Sequence, residues 1–189
     1  QEQKLIIINE LSDFSSGLTN TISNYLMNGG SICVIPIKEA DLNNYNTFLN
    51  KIKTDIINKE NYNSIKVSNL NQKHFIFNNT FNSNEIKKDI NLPSINYYYT
   101  LKNKNNTIKQ NIFITETGDP FMNYYQVGKG EVYLFTSPLS DENNNFCKHA
   151  LFVTSFFNMA LNSVKSEKLY YTIFQNQEIQ LPVTNKLKQ

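Results

Sequence analysis

The chain contains no arginine; all 18 of its basic residues are lysines. Arginine supplies the planar fork that grips phosphates, carboxylates and guanine edges at two points. A phosphate or nucleic-acid site here would rest on lysine and backbone N–H groups alone. A surplus of one charge is missing as well. With 16 acidic residues and a net charge of +2, nothing marks a nucleic-acid or membrane surface. Cysteine is scarce. Cys33 and Cys147 are the only two, which excludes a disulfide framework and leaves at most one bridge. That bridge requires the last helix to pack beside the second strand. Two histidines and two cysteines are a poor stock of ligands for zinc. No apolar run approaches the length of a membrane span.

What is present is a globular composition. The 189 residues are 40% hydrophobic and 13% aromatic, enough for one domain with a proper core, or one domain plus a short appendage. The excess of Asn, Lys, Ile, Tyr and Phe reads as compositional drift. The opening, "QEQKLIIINEL", has no initiator Met and enters an apolar run almost at once. The expectation is a piece of a longer protein.

Lys4 to Leu11, "KLIIINEL", reads as a strand buried on both faces. Leu18, Ile22, Tyr25 and Leu26 recur at helical spacing, and Asn28-Gly29-Gly30 stops that helix. "SICVIPI", Ser31 to Ile37, is a second buried strand. Leu42, Tyr45, Phe48, Leu49 and Ile52 form another helical face. Strand, helix, strand, helix argues for a parallel sheet with right-handed crossovers. In the middle, "SIKVSNL", "HFIF", "INYYYTL", "NIFITET", "PFMNYYQV" and "EVYLFTSPL" read as closely spaced strands with hairpins among them. The Asn/Lys-rich patches 58–63 and 102–106 read as loops. "NNNFCKHALFVTSFFNMALNSV" reads as a helix on the sheet. Leu169 to Phe174 and Glu178 to Leu181 read as a hairpin.

Gly128-Lys129-Gly130 raises the question of a phosphate cradle. A P-loop needs a helix after the glycines and a Ser or Thr after the lysine. A strand, "EVYLF", follows instead, so the motif is a tight hairpin with glycine at positive φ.

Candidate chemistry is thin. Cys33 sits mid-strand and reads as core. Cys147 and His149, two apart, would point about 160° apart on a helix and share no metal there; on a strand they could. His74 has no nucleophile elbow to serve, since no G-x-S-x-G exists, and reads as a loop or capping residue. Asp119, in "TGDPF", reads as a turn former. Tyr97, Tyr98, Tyr99, Tyr124 and Tyr125 offer an aromatic surface for sugar or a partner, although strand alternation makes half of them core. One cluster stands out. Glu10 and Ser12 end the first strand; Lys38 and Glu39 follow the second. In open α/β sheets ligands bind outside the carboxyl ends of the strands, so Glu10, Ser12, Lys38 and Glu39 form a candidate ligand-binding crevice. Asp13 and Asp41 nearby read as helix caps, with Ser15 an alternative for the first helix.

The pieces "NGGSICVIP", "DLNNYNTFL" and "GKGEVYLFTSPL", in an order running from about Lys4 to Leu181, resemble one region of the BatA-domain membrane proteins of Bacteroidota. In that family the region is a class I glutamine amidotransferase-like domain. More distantly, the chain resembles trehalose-utilisation-type domains and the trimerisation domain of some β-galactosidases. The resemblance implies a three-layer α/β/α flavodoxin-like sheet, with a mostly parallel core and antiparallel hairpin additions. It implies a domain over 1–165 and a C-terminal hairpin or tail over 166–189 leading to the next domain. It implies a periplasmic setting, with membrane attachment only through helices outside this stretch. Active members of that fold carry a nucleophilic Cys on an elbow and a His–Glu pair. The comparable turn here is "IPIKEAD", with Pro36, Ile37 and Lys38, and "TSPLSD" offers no His. No catalytic residue carries over, and no cofactor is expected. The leading expectation is a non-catalytic envelope-protein domain for assembly or recognition, its partners being domains of the same parent or envelope proteins and not nucleic acid. Alternatives are a periplasmic module binding a small ligand or carbohydrate in the crevice, and a hydrolase with an unfamiliar carboxylate arrangement.

Overall fold

A computed structural model of the chain describes residues 4–78, 80–81, 91–104 and 108–164. The expected boundary at 165/166 and the C-terminal hairpin lie outside the described residues.

The first third follows the sequence pattern: β1 (Leu5–Asn9), α1 (Ser16–Met27), β2 (Ser31–Ile35) and α2 (Leu42–Lys51). Ser15 caps α1 by accepting from the Leu18 amide, and Asp41 caps α2 by accepting from Asn43 and Asn44. Asp13, expected as a cap, instead accepts from the Asn44 side chain at 2.6 Å and ties the start of α1 to α2. Further along come β3 (Ile56–Asn61), β4 (Ile65–Leu70), β5 (Ser94–Ile95), β6 (Tyr98–Lys102), β7 (Ile108–Thr115), β8 (Pro120–Val127), β9 (Gly130–Phe135) and α3 (Ala150–Ser163). β3 occupies part of an expected loop, because its residues pair antiparallel with β6. "HFIF", expected as a strand, is a 3-10 turn over Phe75–Phe77, whose first free amide is taken by the His74 side chain. Cys147 and His149 do not share a helix: Cys147 lies in the short 3-10 turn Phe146–Lys148, and His149 caps α3.

The main sheet has seven strands in the order β1-β2-β9-β8-β7-β4-β5, and β3-β6 forms a separate ribbon. Only β1–β2 and β2–β9 pair in parallel; the other four pairs are antiparallel. The α/β class holds, but a mostly parallel core does not. Short connections drive the difference, because β7, β8 and β9 are joined by tight turns that can only return a strand antiparallel. β1 is also less buried than its apolar run predicts. It is the edge of the sheet, and Ile7 is 48% exposed. The Gly128-Lys129 turn joins β8 to β9, with Val127 opposite Gly130 and Gly128 at φ 61°. The hairpin reading of that motif is correct.

Both faces of the sheet are covered. On one, Ile32, Val34, Val132 and Leu134 pack against α1, α2 and the β3–β6 ribbon. On the other, Cys33, Tyr133 and Phe135 pack against α3 and the 3-10 turn at Phe75. Cys33 is fully buried, and both cysteines are free. Among the described residues no helix is long and apolar enough to cross a membrane.

Candidate functional site

The two parallel strands β1 and β2 end side by side, and the chain then makes two turns. The first runs through Glu10 to Ser12, the second through Pro36 to Ala40. The Glu10 amide donates to the Ile35 carbonyl at 2.9 Å, which locks the start of the first turn to the end of β2. The second turn is clamped from beneath by three tyrosines. The Tyr45 hydroxyl, from α2, accepts from the Ile37 amide at 3.1 Å and donates to the Leu11 carbonyl. The Tyr99 hydroxyl, from β6, accepts from the Ala40 amide at 2.9 Å and donates to the Ile37 carbonyl at 2.7 Å. The Tyr97 hydroxyl accepts from the Glu39 amide at 3.1 Å. Burial raises the pKa of all three phenols, so they stay neutral and keep both donor and acceptor roles.

Glu10 and Glu39 share an unusual backbone. Their φ angles are 49° and 56°, in the left-handed region. A side chain there costs roughly 1–2 kcal/mol, and glycine or asparagine is the ordinary occupant. Two glutamates held this way at the ends of adjacent strands are a reason to look for function at the site.

The residues expected in the crevice divide as follows. Glu10 is half-buried, while Ser12, Lys38 and Glu39 are exposed. The Lys38 ammonium sits 5.5 Å from the centre of the Tyr97 ring, within cation–π range. All five tyrosines expected as an aromatic surface are buried, from 0% to 5% exposed, Tyr98 and Tyr124 in the core on one side of the main sheet and Tyr97, Tyr99 and Tyr125 in the core on the other. The aromatic exposed beside these turns is Tyr62, at 60%. Its ring meets Tyr97 edge-on at 5.1 Å, and its hydroxyl donates to Glu60 at 2.7 Å. That hydrogen bond is the main cause raising its pKa to about 12. Tyr62 lay in an expected loop and carried no signal in the sequence. Tyr97 and Tyr99 did carry one: residues two apart on an extended segment share a face.

The site is thus a tied pair of turns displaying Lys38 and Glu39, with Tyr62 and Glu60 from the end of β3 beside them. The space beneath is filled by tyrosine rings. Among the described residues, grooves lie elsewhere. One of about 550 Å³ between α1 and α2 is floored by Phe14, and one of about 350 Å³ lies beside Asn71 and Asn111. No group of three or more metal-ligating side chains is present among the described residues.

No family model and no curated protein matches this chain. Solved structures share its fold. The cytoplasmic protein STM3548 from Salmonella typhimurium superposes with a TM-score of 0.63 at 16% identity, over 84% of this chain and 71% of that one. STM1381 from Salmonella typhimurium LT2 gives the same TM-score and coverage at 20% identity. The GH42 β-galactosidase Gan42B from G. stearothermophilus gives a TM-score of 0.53 at 16% identity, over 84% of this chain but only 21% of the enzyme. At these identities the likeness concerns the fold alone.

Proposed function

We propose that this is a non-catalytic recognition domain, which presents the turn at residues 36–40 and the neighbouring Tyr62 to another protein or to another domain of its own parent. The observation that carries this reading is the tyrosine clamp. Three buried tyrosine hydroxyls all bond the backbone of the turn at residues 36–40, and one of them also ties it to the turn after β1. They fix the direction in which Lys38 and Glu39 project and are occupied in doing so. A pre-set polar rim beside an exposed aromatic ring is what a binding surface needs, because little ordering is left to oppose association. The setting we propose is the periplasmic part of an envelope membrane protein, with a glutamine amidotransferase-like, flavodoxin-like fold. It rests on the sequence resemblance to BatA-domain proteins and on the helices covering both sheet faces.

A second reading is a carbohydrate-binding module on the same surface. The exposed Tyr62 ring flanked by Glu60 and Glu39 favours it, since sugars stack on aromatic faces and donate to carboxylates.

The test is site-specific photo-crosslinking in the full-length parent. A crosslinking residue at position 62 should capture one defined protein or domain, and the same residue at Asn20 on α1 should not. Equal yields at both positions would rule the surface out. A glycan-array signal lost in Tyr62→Ala would favour the second reading.

A further inference from the structure

α3 is apolar on two sides. Leu151, Ser155, Met159 and Ser163 form its buried stripe. Beside them Phe152 meets Phe146 and Phe156 stacks on Phe135. A second stripe lies opposite. Val153, Phe157 and Leu161 are 69%, 61% and 55% exposed, and Val164, just past the end of the helix, is 57% exposed. Exposed Ala160 lies among them. At 3.6 residues per turn these five positions fall within about 100° of the helix circumference and point away from the sheet. Single exposed apolar residues are ordinary, but a continuous stripe marks an interaction surface. Among the described residues nothing covers it.

The order of side chains along the stripe selects the occupant. Val153, Phe157, Ala160 and Val164 are spaced four, three and four apart, the spacing of a seam between two helices. Two copies of α3 can lie antiparallel about a two-fold axis that passes between Asn158 and Met159. Val153 then comes opposite Val164 of the second copy, and Phe157 opposite Ala160. Large meets small in both central layers, as close packing requires. A parallel pair would instead set Phe157 against Phe157 and Ala160 against Ala160, one layer overfull and the next empty.

Charge and size agree with this occupant. α3 has no Asp, Glu or Lys from Ala150 to Ser163. Two identical faces therefore meet without like charges, whereas nothing here would select a charged partner or hold an anionic lipid headgroup. The stripe offers five side chains, against about 20–30 residues a side in an interface of standard size, so the association is one that dilution reverses. We propose that the outer stripe of α3 is a self-association surface, on which a second copy of this chain seats its own α3 antiparallel, giving a dimer with two-fold symmetry.

The test is sedimentation equilibrium of the 189-residue chain from about 1 to about 200 μM. A reductant keeps the partly exposed Cys147 from bridging copies. The mean mass should rise with concentration from one chain towards two. Phe157→Glu and Ala160→Lys should each weaken association at least about tenfold and leave the urea midpoint unchanged, since both positions face solvent in the single chain. An equimolar mixture of the two variants should associate more tightly than either alone, because the antiparallel register sets the introduced carboxylate opposite the introduced ammonium. A single-chain mass at every concentration overturns the proposal; if Phe157→Glu then lowers the urea midpoint, the stripe is covered from within the chain. Association that both variants leave unchanged puts the dimer on another face and also overturns it. Variants that dissociate the dimer but gain nothing on mixing overturn the antiparallel register.

Discussion

The Nζ of Lys109 lies 2.6 Å from Oδ2 of Asp55, a carboxylate only 1% exposed. The pair joins β7 to the segment between α2 and β3. Asp55 also accepts from the Lys104 amide at 2.9 Å and the Tyr125 hydroxyl at 3.1 Å, so both its oxygens are satisfied. A buried charge costs several kcal/mol unless it is paired and hydrogen-bonded. Here it stitches the β3–β6 side of the molecule to the main sheet. Asp55→Ala takes the acceptor from the Lys104 amide and one partner each from Lys109 and Tyr125, which keep Asn103 and Asn123. The expected loss is about 1–3 kcal/mol of unfolding free energy, read from urea denaturation. Lys109→Met should cost less, because the carboxylate keeps two donors and the lysine is partly exposed. A loss under about 1 kcal/mol for Asp55→Ala would mean that the network does not hold the two parts together.

The contrast between Asp55 and Asp41 shows what the sequence can reveal. Asp41 precedes a helical apolar period, and a cap is a local device, so its role is legible from the next few residues. Asp55 precedes a segment whose alternation is broken by Asn58 and Lys59, and its partner lies 54 residues on. Local pattern cannot find that. The same division runs through the fold. β1, α1, β2 and α2 are set by short-range periodicity and capping, and the Gly128 turn by the need for positive φ. The antiparallel half of the sheet depends on which strand pairs with which. That the turns after β1 and β2 lie side by side was legible, because the ends of adjacent parallel strands are topologically fixed. The construction of those turns was not: the tyrosines that clamp them come from α2, from β6 and from the residue just before β6, with Tyr97 and Tyr99 58 and 59 residues away from the amides that they hold.

His74 gives a pH dependence. It is 2% exposed, with its ring against Phe75 and Tyr124 at 4.3 and 5.0 Å. Its Nδ1 accepts from the Ile76 amide, which requires that nitrogen to be unprotonated. Burial lowers its pKa from 6.5 to about 4. The unfolded chain therefore binds a proton between pH 6.5 and about 4 that the folded protein refuses. The stabilisation from a neutral His74 is full above pH 6.5 and is lost as pH falls towards 4, with a slope of at most about 1.4 kcal/mol per pH unit. His74→Asn can still cap Ile76 and does not titrate. The stability gap between wild type and His74→Asn should therefore shrink from pH 7 to pH 4.5, measured by urea midpoints. A constant gap would show that His74 is not held neutral by the fold.

Gly130 and Gly17 make opposite predictions from one substitution. A Cβ on Gly130 would lie 2.4 Å from the Leu26 carbonyl oxygen and 2.5 Å from that of Gly30. Both are backbone atoms, one in the last turn of α1 and one at the entry to β2, so neither can swing aside. Gly130→Ala must push β9 away from α1 or disturb the Val127–Gly130 pairing, at about 1–3 kcal/mol or more. A Cβ on Gly17 meets nothing within 4 Å. There, alanine lowers the entropy of the unfolded chain and suits the first turn of α1, for a gain of about 0.5–1 kcal/mol. Thermal midpoints should thus move in opposite directions, down for Gly130→Ala and up for Gly17→Ala. If both rise, the close approach of β9 to the end of α1 is absent in solution, and the glycine after Lys129 serves the turn alone.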